Sequence, residues 1–252
     1  MQNEGNEPMK KLNVKIFADG ADKSGMLEMA ANPLISGLTT NPTLMKKAGV
    51  SDYKSFALEV LGEIKTKPIS FEVFSDDFDE MEGQALEIAS WGGNVYVKIP
   101  ITNTKGQSSA ALVERLSSQG VKVNVTAMMT LQQVQDVVPG MLKGPGGYVS
   151  VFAGRIADSG RDPLPAMRDI VNYLRPYPSV ELIWASPREV LNIIQADEIG
   201  CHIITVTNDL IKKMALFGKN LDEYSLDTVK MFYNDAKSAG YKLAVAKQAV
   251  RR

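Results

Sequence analysis

Hydrophobic and polar positions follow two alternating patterns along the chain. Short runs of mostly apolar residues, rich in β-branched side chains, are each followed by a longer segment with helical spacing. A short run that is apolar on both faces is typical of a buried parallel strand. Eight such runs predict eight strands, at residues 14–20, 35–41, 69–75, 95–100, 121–127, 148–154, 180–186 and 202–208.

The intervening segments carry apolar stripes of helical period, such as Met167, Ile170, Val171 and Leu174. Eight successive strand–helix units predict an α/β fold, a single-domain (β/α)8 TIM barrel. An open, doubly wound sheet is the alternative, although such a sheet rarely has eight strands and no G-x-G-x-x-G follows the first one. Two further helical stretches, at about 208–217 and 223–238, predict extra C-terminal helices.

The ends of the chain differ from its centre. Residues 1–10 are polar and predict a disordered tail, which leaves 11–252 as the barrel domain, with about 220–252 as a helical extension. The last segment contains four apolar side chains that a closed barrel cannot all accommodate: Leu243, Val245, Ala246 and Val250. We therefore expect this segment to dock on a neighbouring subunit of a homo-oligomer.

Composition narrows the function classes. The 252 residues are 44% apolar and 23% charged, with a net charge of −1, which is ordinary for a folded domain and gives no reason to expect a nucleic-acid or membrane partner. No apolar run is long enough to span a membrane, and the N-terminus lacks the apolar core of a signal peptide. One cysteine excludes an intrachain disulfide and predicts a reducing, cytoplasmic location. One histidine, His202, excludes a Cys/His zinc cluster and lies at the start of a strand, away from the catalytic end of a barrel.

Polar residues concentrate at the C-terminal ends of the predicted strands, where barrel enzymes carry their active sites. Lys98 is the most informative, because it interrupts the apolar run V-Y-V-K-I-P. A buried ammonium must be paired or have a depressed pKa, and a lysine of lowered pKa can attack a carbonyl to form a Schiff base. The alternative is a structural lysine paired with Glu72 or Asp19.

The two carboxylates at strand ends also have two interpretations each. Asp19 and Glu72 suit the proton transfers of Schiff-base chemistry. Asp19 is alternatively the N-cap of the following helix, and Glu72 is alternatively only the ion-pair partner of Lys98.

Neutral and basic groups complete the set of strand-end residues. Neutral hydrogen-bonding side chains lie on predicted strands 2, 5, 6 and 7, towards their C-terminal ends: Thr40, Asn41, Asn124, Thr126, Ser150 and Ser186. Asn41, Asn124, Thr126 and Ser150 suit a polyhydroxy substrate, although Asn41 could simply start a helix and Thr126 could bond to its own backbone. Arg155 and Arg188 follow strands 6 and 7, where barrels often bind phosphate, although surface salt bridges would also explain them.

All of these residues except Glu72 lie in six segments that together resemble the transaldolase family. The segments are F-A-D-G-A-D (17–22), G-L-T-T-N-P-T (37–43), V-K-I-P (97–100), N-V-T-A (124–127), S-V-F-A-G-R-I-A-D (150–158) and A-S-P-R (185–188), and they occur in the family's order. The resemblance implies a class I enzyme on a (β/α)8 barrel, without metal or other cofactor. Such enzymes hold a dihydroxyacetone unit from a ketose phosphate on a lysine and pass it to an aldose phosphate.

The resemblance also implies roles for individual residues. Lys98 is similar to the Schiff-base lysine, Asp19 to the acid/base at the C4 hydroxyl, and Glu72 to the group that acts through a water on carbinolamine dehydration. Thr126 would help to hold that water. Asn41 and Asn124 would hold the hydroxyls of the dihydroxyacetone unit, with Ser150 beside them, and the phosphate would be held by Arg155, Ser186 and Arg188. Thr40 and Phe152 are also expected among the substrate-binding residues.

Three alternatives stay open: an aldolase, a transaldolase that acts on another anion, and a non-catalytic barrel. Fructose-6-phosphate aldolases of the same family release dihydroxyacetone, and they carry Gln and Tyr where this chain has Glu72 and Phe152, so both residues favour transfer. An anion other than phosphate, such as the sulfonate of a sulfo-sugar, would fit the same arginines. A non-catalytic barrel that binds a sugar phosphate is the hypothesis from a different class.

Compact family members often form rings of five or ten subunits, so we expect a pentamer or decamer.

Overall fold

A computed structural model describes residues 11–243 of the chain. The predicted N-terminal tail, and the docking residues Val245, Ala246 and Val250, lie outside the described residues. Leu243 lies within them and is 92% exposed.

Eight strands and the helices between them account for most of the described chain. The strands are β1 (Lys15–Asp19), β2 (Ile35–Thr39), β3 (Ile69–Glu72), β4 (Val95–Pro100), β5 (Val123–Met128), β6 (Gly147–Val151), β7 (Val180–Trp184) and β8 (Ile203–Val206). The α-helices are α1 (Lys23–Ala31), α2 (Pro42–Lys47), α3 (Tyr53–Glu63), α4 (Phe78–Ser90), α5 (Ala110–Ser118), α6 (Leu131–Met141), α7 (Ala153–Asp158), α8 (Leu164–Leu174), α9 (Leu191–Glu198), α10 (Asn208–Lys213) and α11 (Leu221–Ser238).

The strands form a closed barrel in chain order, and β1 pairs with β8 to complete it. Each pair is parallel, so all eight C-terminal ends meet at one rim. The structure therefore confirms the predicted (β/α)8 barrel and excludes the open sheet. The strands are buried on both faces, as the apolar runs predicted.

An aromatic layer fills the barrel interior one step below the rim. Phe17, Tyr148 and Ile203 belong to one buried cluster, and Tyr96 stacks on Tyr148 with ring centroids 4.2 Å apart. Alternate residues of a strand face the same side, so these side chains lie directly below Asp19, Ser150, Thr205 and Lys98. The lower interior is thus apolar and the upper interior is polar.

Space for the Phe17 ring depends on a glycine in the neighbouring strand. A Cβ atom on Gly37 would lie 2.5 Å from Phe17 Cζ, far inside van der Waals contact. Glycine at this position lets the aromatic layer close at β2.

Several of the predicted strands extended too far at their C-terminal ends. The run 35–41 reaches the Asn41 cap of α2, which begins at Pro42, and the run 148–154 includes the first residues of α7, which begins at Ala153. Both helices have six residues, too few to show an apolar stripe.

Residues Leu12–Met214 form one compact unit, and the described residues from Ala215 to Leu243 belong to a second. The predicted helical stretches correspond to α10, a 3-10 turn at Met214–Leu216, and α11. The predicted domain limits, 11–252 with an extension from about 220, stay predictions. Within residues 11–243, we find no helix with the length and apolar character needed to cross a membrane.

Candidate active site

Lys98 lies inside the barrel on β4 and is 6% exposed. Its Nζ donates to the Thr40 carbonyl oxygen at 2.9 Å and lies 3.1 Å from Glu72 Oε2. Glu72 and Lys98 are register partners of the β3–β4 pair, so the two strands bring the carboxylate and the ammonium together. A buried ammonium without such a partner would be strongly unfavourable, and the ion pair resolves this cost.

Asp19 is the second carboxylate at the rim. Thr39, its register partner on β2, donates from Oγ1 to Asp19 Oδ1 at 2.9 Å. Burial raises the pKa of Asp19, and the nearby Lys98 charge and the Thr39 hydrogen bond oppose that rise. The N-cap of α1 is Asp22, which accepts from Gly25 N–H at 2.7 Å, so the capping interpretation of Asp19 is wrong.

A cavity of about 400 Å³ opens at the C-terminal rim of the barrel, within the size range of small-molecule sites. Nine of the twelve residues singled out from the sequence line it: Asp19, Asn41, Glu72, Lys98, Thr126, Ser150, Phe152, Arg155 and Ser186. Thr40, Asn124 and Arg188 are not among its lining residues. The structure thus brings most of the predicted groups to one cavity.

Asn124 lies in the barrel interior and is fully buried. Its Oδ1 accepts from Ser150 Oγ at 2.7 Å, and its Nδ2 donates to Ser70 Oγ at 3.0 Å. These bonds form a polar chain, Ser70–Asn124–Ser150, that joins β3, β5 and β6 through side chains. Both ends of the Asn124 amide already bond to protein, so its predicted contact with a substrate hydroxyl stays a prediction.

The end of β5 is irregular where it borders the cavity. Two residues, Thr126 and Ala127, stand opposite Ser150 of β6, which makes a β-bulge, and Ala127 has a φ of 62°. Ser186 at the end of β7 has a φ of 60°. Within residues 11–243 these are the non-glycine residues with positive φ, and both line the cavity. Strained backbone of this kind concentrates at functional sites.

Thr126 itself is 2% exposed. Its Oγ1 is buried and has no hydrogen-bond partner among the described protein atoms. Buried hydroxyls nearly always have a partner, so an unpaired one beside a cavity indicates a group that bonds to a ligand or a water.

Asp158 holds Arg188 in place at the rim. Arg188 Nε donates to Asp158 Oδ1 at 2.7 Å, and Nη2 donates to Oδ2 of the same carboxylate. Arg188 Nη1 also donates to Ser186 Oγ at 3.1 Å. The Arg188 hydrogen bonds lower the pKa of Asp158. This arginine is therefore fixed by a two-pronged pair, which is the surface salt bridge considered as its alternative role.

A close backbone approach joins the loops after β6 and β7. A Cβ on Gly154 would lie 1.6 Å from the Ser186 carbonyl oxygen, so only glycine fits there. Arg155 follows directly, with its guanidinium 5.9 Å from the centre of the Phe152 ring. The glycine thus lets Arg155 and Ser186 border the same cavity.

Other polar residues have structural roles. Asn41 caps α2 by accepting from Leu44 N–H at 2.9 Å, while also lining the cavity. His202 Nδ1 accepts from Leu182 N–H at 3.0 Å, at the start of β8 and away from the rim. Burial lowers the pKa of His202, in agreement with its use as a neutral acceptor.

The site includes residues that were not singled out from the sequence, among them Ser70, Thr205 and Asp158. Ser70 lies two residues before Glu72 on β3, and Thr205 lies on β8, so their inward direction follows from strand alternation alone. Asp158 lies in the S-V-F-A-G-R-I-A-D segment, but nothing in the segment indicated its pairing with Arg188.

A protein-family model described as Transaldolase/Fructose-6-phosphate aldolase matches residues 16–244. The chain belongs to this family. A "Probable transaldolase" from Dehalococcoides mccartyi is 35% identical over 80% of this chain and 90% of the relative. Another from Thermoanaerobacter sp. is 34% identical over 91% of this chain and the full length of the relative. The transaldolase/aldolase family assignment therefore rests on nearly the whole barrel.

A solved structure supports the fold from a distance. The chain is similar to a Burkholderia cenocepacia protein named as a "putative phosphonomutase", with a TM-score of 0.56 and 12% identity. The likeness covers 82% of this chain and 93% of that one. At this identity the likeness shows the barrel fold alone.

Proposed function

We propose that this member of the family is a transaldolase that works through a Schiff base on Lys98. It would take a dihydroxyacetone unit from a ketose phosphate, such as fructose 6-phosphate or sedoheptulose 7-phosphate, and transfer it to an aldose phosphate. The observation that carries the proposal is a buried lysine that borders the cavity, paired with one carboxylate and near a second.

Formation of the imine begins with proton transfer from Lys98. Glu72 Oε2 is 3.1 Å from Nζ, close enough to take the proton directly or through one water. The freed amine adds to the substrate carbonyl carbon to give a carbinolamine. Return of a proton from Glu72 to the carbinolamine oxygen lets it leave as water, and the C=N bond forms. Thr126 Oγ1 would hold the water between these groups.

Cleavage requires a base at the C4 hydroxyl, and Asp19 is the remaining carboxylate of the cavity. When it accepts that proton, the C4 oxygen forms a carbonyl and the C3–C4 bond electrons move into the imine. The aldose phosphate leaves, and an enamine of dihydroxyacetone stays on Lys98. The raised pKa makes the ionised Asp19 a stronger base than an exposed aspartate. Reversal of the step on an acceptor aldose completes the transfer.

Two arginines beside the cavity support an anionic substrate. Arg155 lines the cavity, and Arg188 adjoins it through Ser186. Guanidinium groups suit tetrahedral anions, so phosphate is the first choice and a sulfonate is the alternative. Glu72 and Phe152 favour transfer over release of dihydroxyacetone to water, as the sequence comparison with the aldolase branch predicts.

Borohydride trapping tests the proposal. The protein is incubated with fructose 6-phosphate, reduced, and analysed by intact mass and peptide mapping, in parallel with Lys98→Ala and with Lys143→Ala, a change at an exposed lysine. We expect a dihydroxyacetone adduct on Lys98 in the native chain and in Lys143→Ala, and none in Lys98→Ala. An adduct and turnover that survive in Lys98→Ala would overturn the proposal.

The acceptor dependence of product release separates transfer from lysis. A transaldolase releases glyceraldehyde 3-phosphate in step with erythrose 4-phosphate consumption. Release of free dihydroxyacetone at the same rate without any acceptor would favour the aldolase alternative.

We also propose a cytoplasmic homo-oligomer, a pentamer or decamer. Its support is α11, which has no buried residue and exposes Leu226, Val229, Phe232 and Tyr233. Mass measurement by light scattering tests the proposal, with Phe232→Glu expected to give smaller species. A monomeric native chain would refute it.

A further inference from the structure

The last residue of β3, Glu72, lacks a strand neighbour on one side. Residues 68 and 70 of this segment bond to β2, since the Pro68 carbonyl accepts from Leu38 N–H and the Ser70 carbonyl from Thr40 N–H. In a parallel ladder alternate residues bond the same neighbour, so Glu72 would be next. The chain after Thr40 instead turns into α2, which leaves the Glu72 N–H and C=O on that side without a strand.

Tyr53, the first residue of α3, takes the place of the missing strand. Its hydroxyl donates to the Glu72 carbonyl oxygen at 2.8 Å and accepts from the Glu72 N–H at 2.8 Å. In an extended residue both groups point to the same side, so one hydroxyl satisfies both. Burial raises the pKa of Tyr53, which keeps the hydroxyl protonated so that it can donate and accept at once.

The Tyr53 ring is itself held by an aromatic cluster on the outer side of β3. It contacts Phe71, Phe74 and Trp91 with centroid distances of 6.3, 5.6 and 5.8 Å. Phe71 precedes Glu72 and is fully buried, so the cluster anchors the ring from outside the barrel while the hydroxyl fixes the backbone at the rim.

We propose that Tyr53 is a positioning residue for the reaction: it locks the backbone of Glu72 so that the carboxylate stays 3.1 Å from Lys98 Nζ. Tyr53 does not line the cavity, and it acts through Glu72. The proposal rests on the proposed function, because it assigns Tyr53 to the step in which Glu72 moves protons during imine formation. Loss of the hydroxyl frees the end of β3 and displaces the carboxylate, and small displacements of reacting groups have large effects on rate.

The test compares the rate of imine formation in four variants by quenched borohydride trapping. Tyr53→Phe keeps the ring in the cluster and removes only the hydroxyl. Trp91→Phe disturbs the same cluster without touching Glu72, since the Trp91 indole N–H donates to Glu87. Glu72→Ala, alone and combined with Tyr53→Phe, shows whether the hydroxyl acts through the carboxylate.

We expect Tyr53→Phe to slow imine formation by about ten- to a hundredfold, with an unchanged Kd for the ketose phosphate and a circular dichroism spectrum like that of the native chain. Trp91→Phe should form the imine at nearly the native rate. In the Glu72→Ala background, Tyr53→Phe should change the rate by less than about twofold.

Two results would overturn the inference: native-rate trapping by Tyr53→Phe, or the same fold loss with and without the Glu72 carboxylate. Failure of the native chain to form any adduct is a separate outcome. It would overturn the proposed function, and the role of Tyr53 with it.

Discussion

Thr126 is the residue of this barrel at which one substitution should most clearly separate an effect on stability from an effect on catalysis. Its hydroxyl is buried without a protein partner, and valine has nearly the same shape and a higher preference for strands. An unsatisfied buried hydroxyl costs about 1–3 kcal/mol. We therefore expect Thr126→Val to raise the free energy of unfolding by about 1 kcal/mol, or the melting temperature by about 2–4 °C in a domain of this size.

The same change should lower activity. If Thr126 holds the water of carbinolamine dehydration, its loss removes an assisted proton transfer, which is worth about a hundredfold in kcat. Urea unfolding followed by tryptophan fluorescence measures the first effect, and borohydride-trapped imine formation measures the second.

Ser117 is the matched control. Its Oγ is also buried without a protein partner among the described residues, but it lies in α5 away from the cavity lining. Ser117→Ala should gain stability of similar size with unchanged activity. A Thr126→Val chain that is less stable than the native one, or fully active, would refute the reasoning.

Three further predictions concern the rim. Asp158→Asn should leave the free energy of unfolding nearly unchanged, because its pair with Arg188 is exposed to solvent, yet it should raise the KM for fructose 6-phosphate more than that for free fructose. Gly154→Ala should destabilise the chain by about 1–3 kcal/mol in urea unfolding, because its Cβ would overlap the Ser186 carbonyl. Asp19→Asn should be more stable than the native chain at neutral pH. Because the pKa of Asp19 is raised, the native chain has its full stability below the unfolded-state pKa of 3.8 and loses stability as the pH rises through the folded-state pKa. The gain in stability from Asp19→Asn should therefore vanish as the pH falls towards 3.8.

Each of these has a result that contradicts it. If Asp158→Asn changed the KM equally for fructose 6-phosphate and free fructose, Arg188 would have no role in binding the anion. Gly154→Ala should be compared with Gly83→Ala, where a Cβ meets nothing within 4 Å, and equal effects of the two would deny the close approach. An Asp19→Asn gain that does not vary with pH would show that the carboxylate is not held at a raised pKa.

The sequence predicted the barrel because its strands are buried on both faces. Buried parallel strands give continuous apolar runs, and eight of them in alternation with helices leave few other architectures. The ends of the runs were less accurate. Apolar residues continue past Val151 into α7, so hydrophobicity alone does not mark where that strand stops.

The site was predictable where a polar side chain interrupts an apolar run, as with Lys98 and Glu72. Strand alternation then placed both on the inner face, and the register brought them together. Tyr53 and Asp158 were not predicted, because each acts on a residue of another element. In the sequence, an aromatic residue at the start of a helix resembles any core residue. The role of the Tyr53 hydroxyl becomes visible only in the structure, where the end of β3 has no strand beside it.

The chain Ser70–Asn124–Ser150 has a consequence for how such a barrel can change over generations. Each member is the hydrogen-bond partner of the next, so a single apolar substitution at any one of them leaves a buried polar group without its partner. Only a joint replacement of the three would leave no orphaned group. Laboratory evolution by single steps should therefore leave this trio untouched while it freely explores the rim loops, and new substrate preferences should arise around an inherited polar interior.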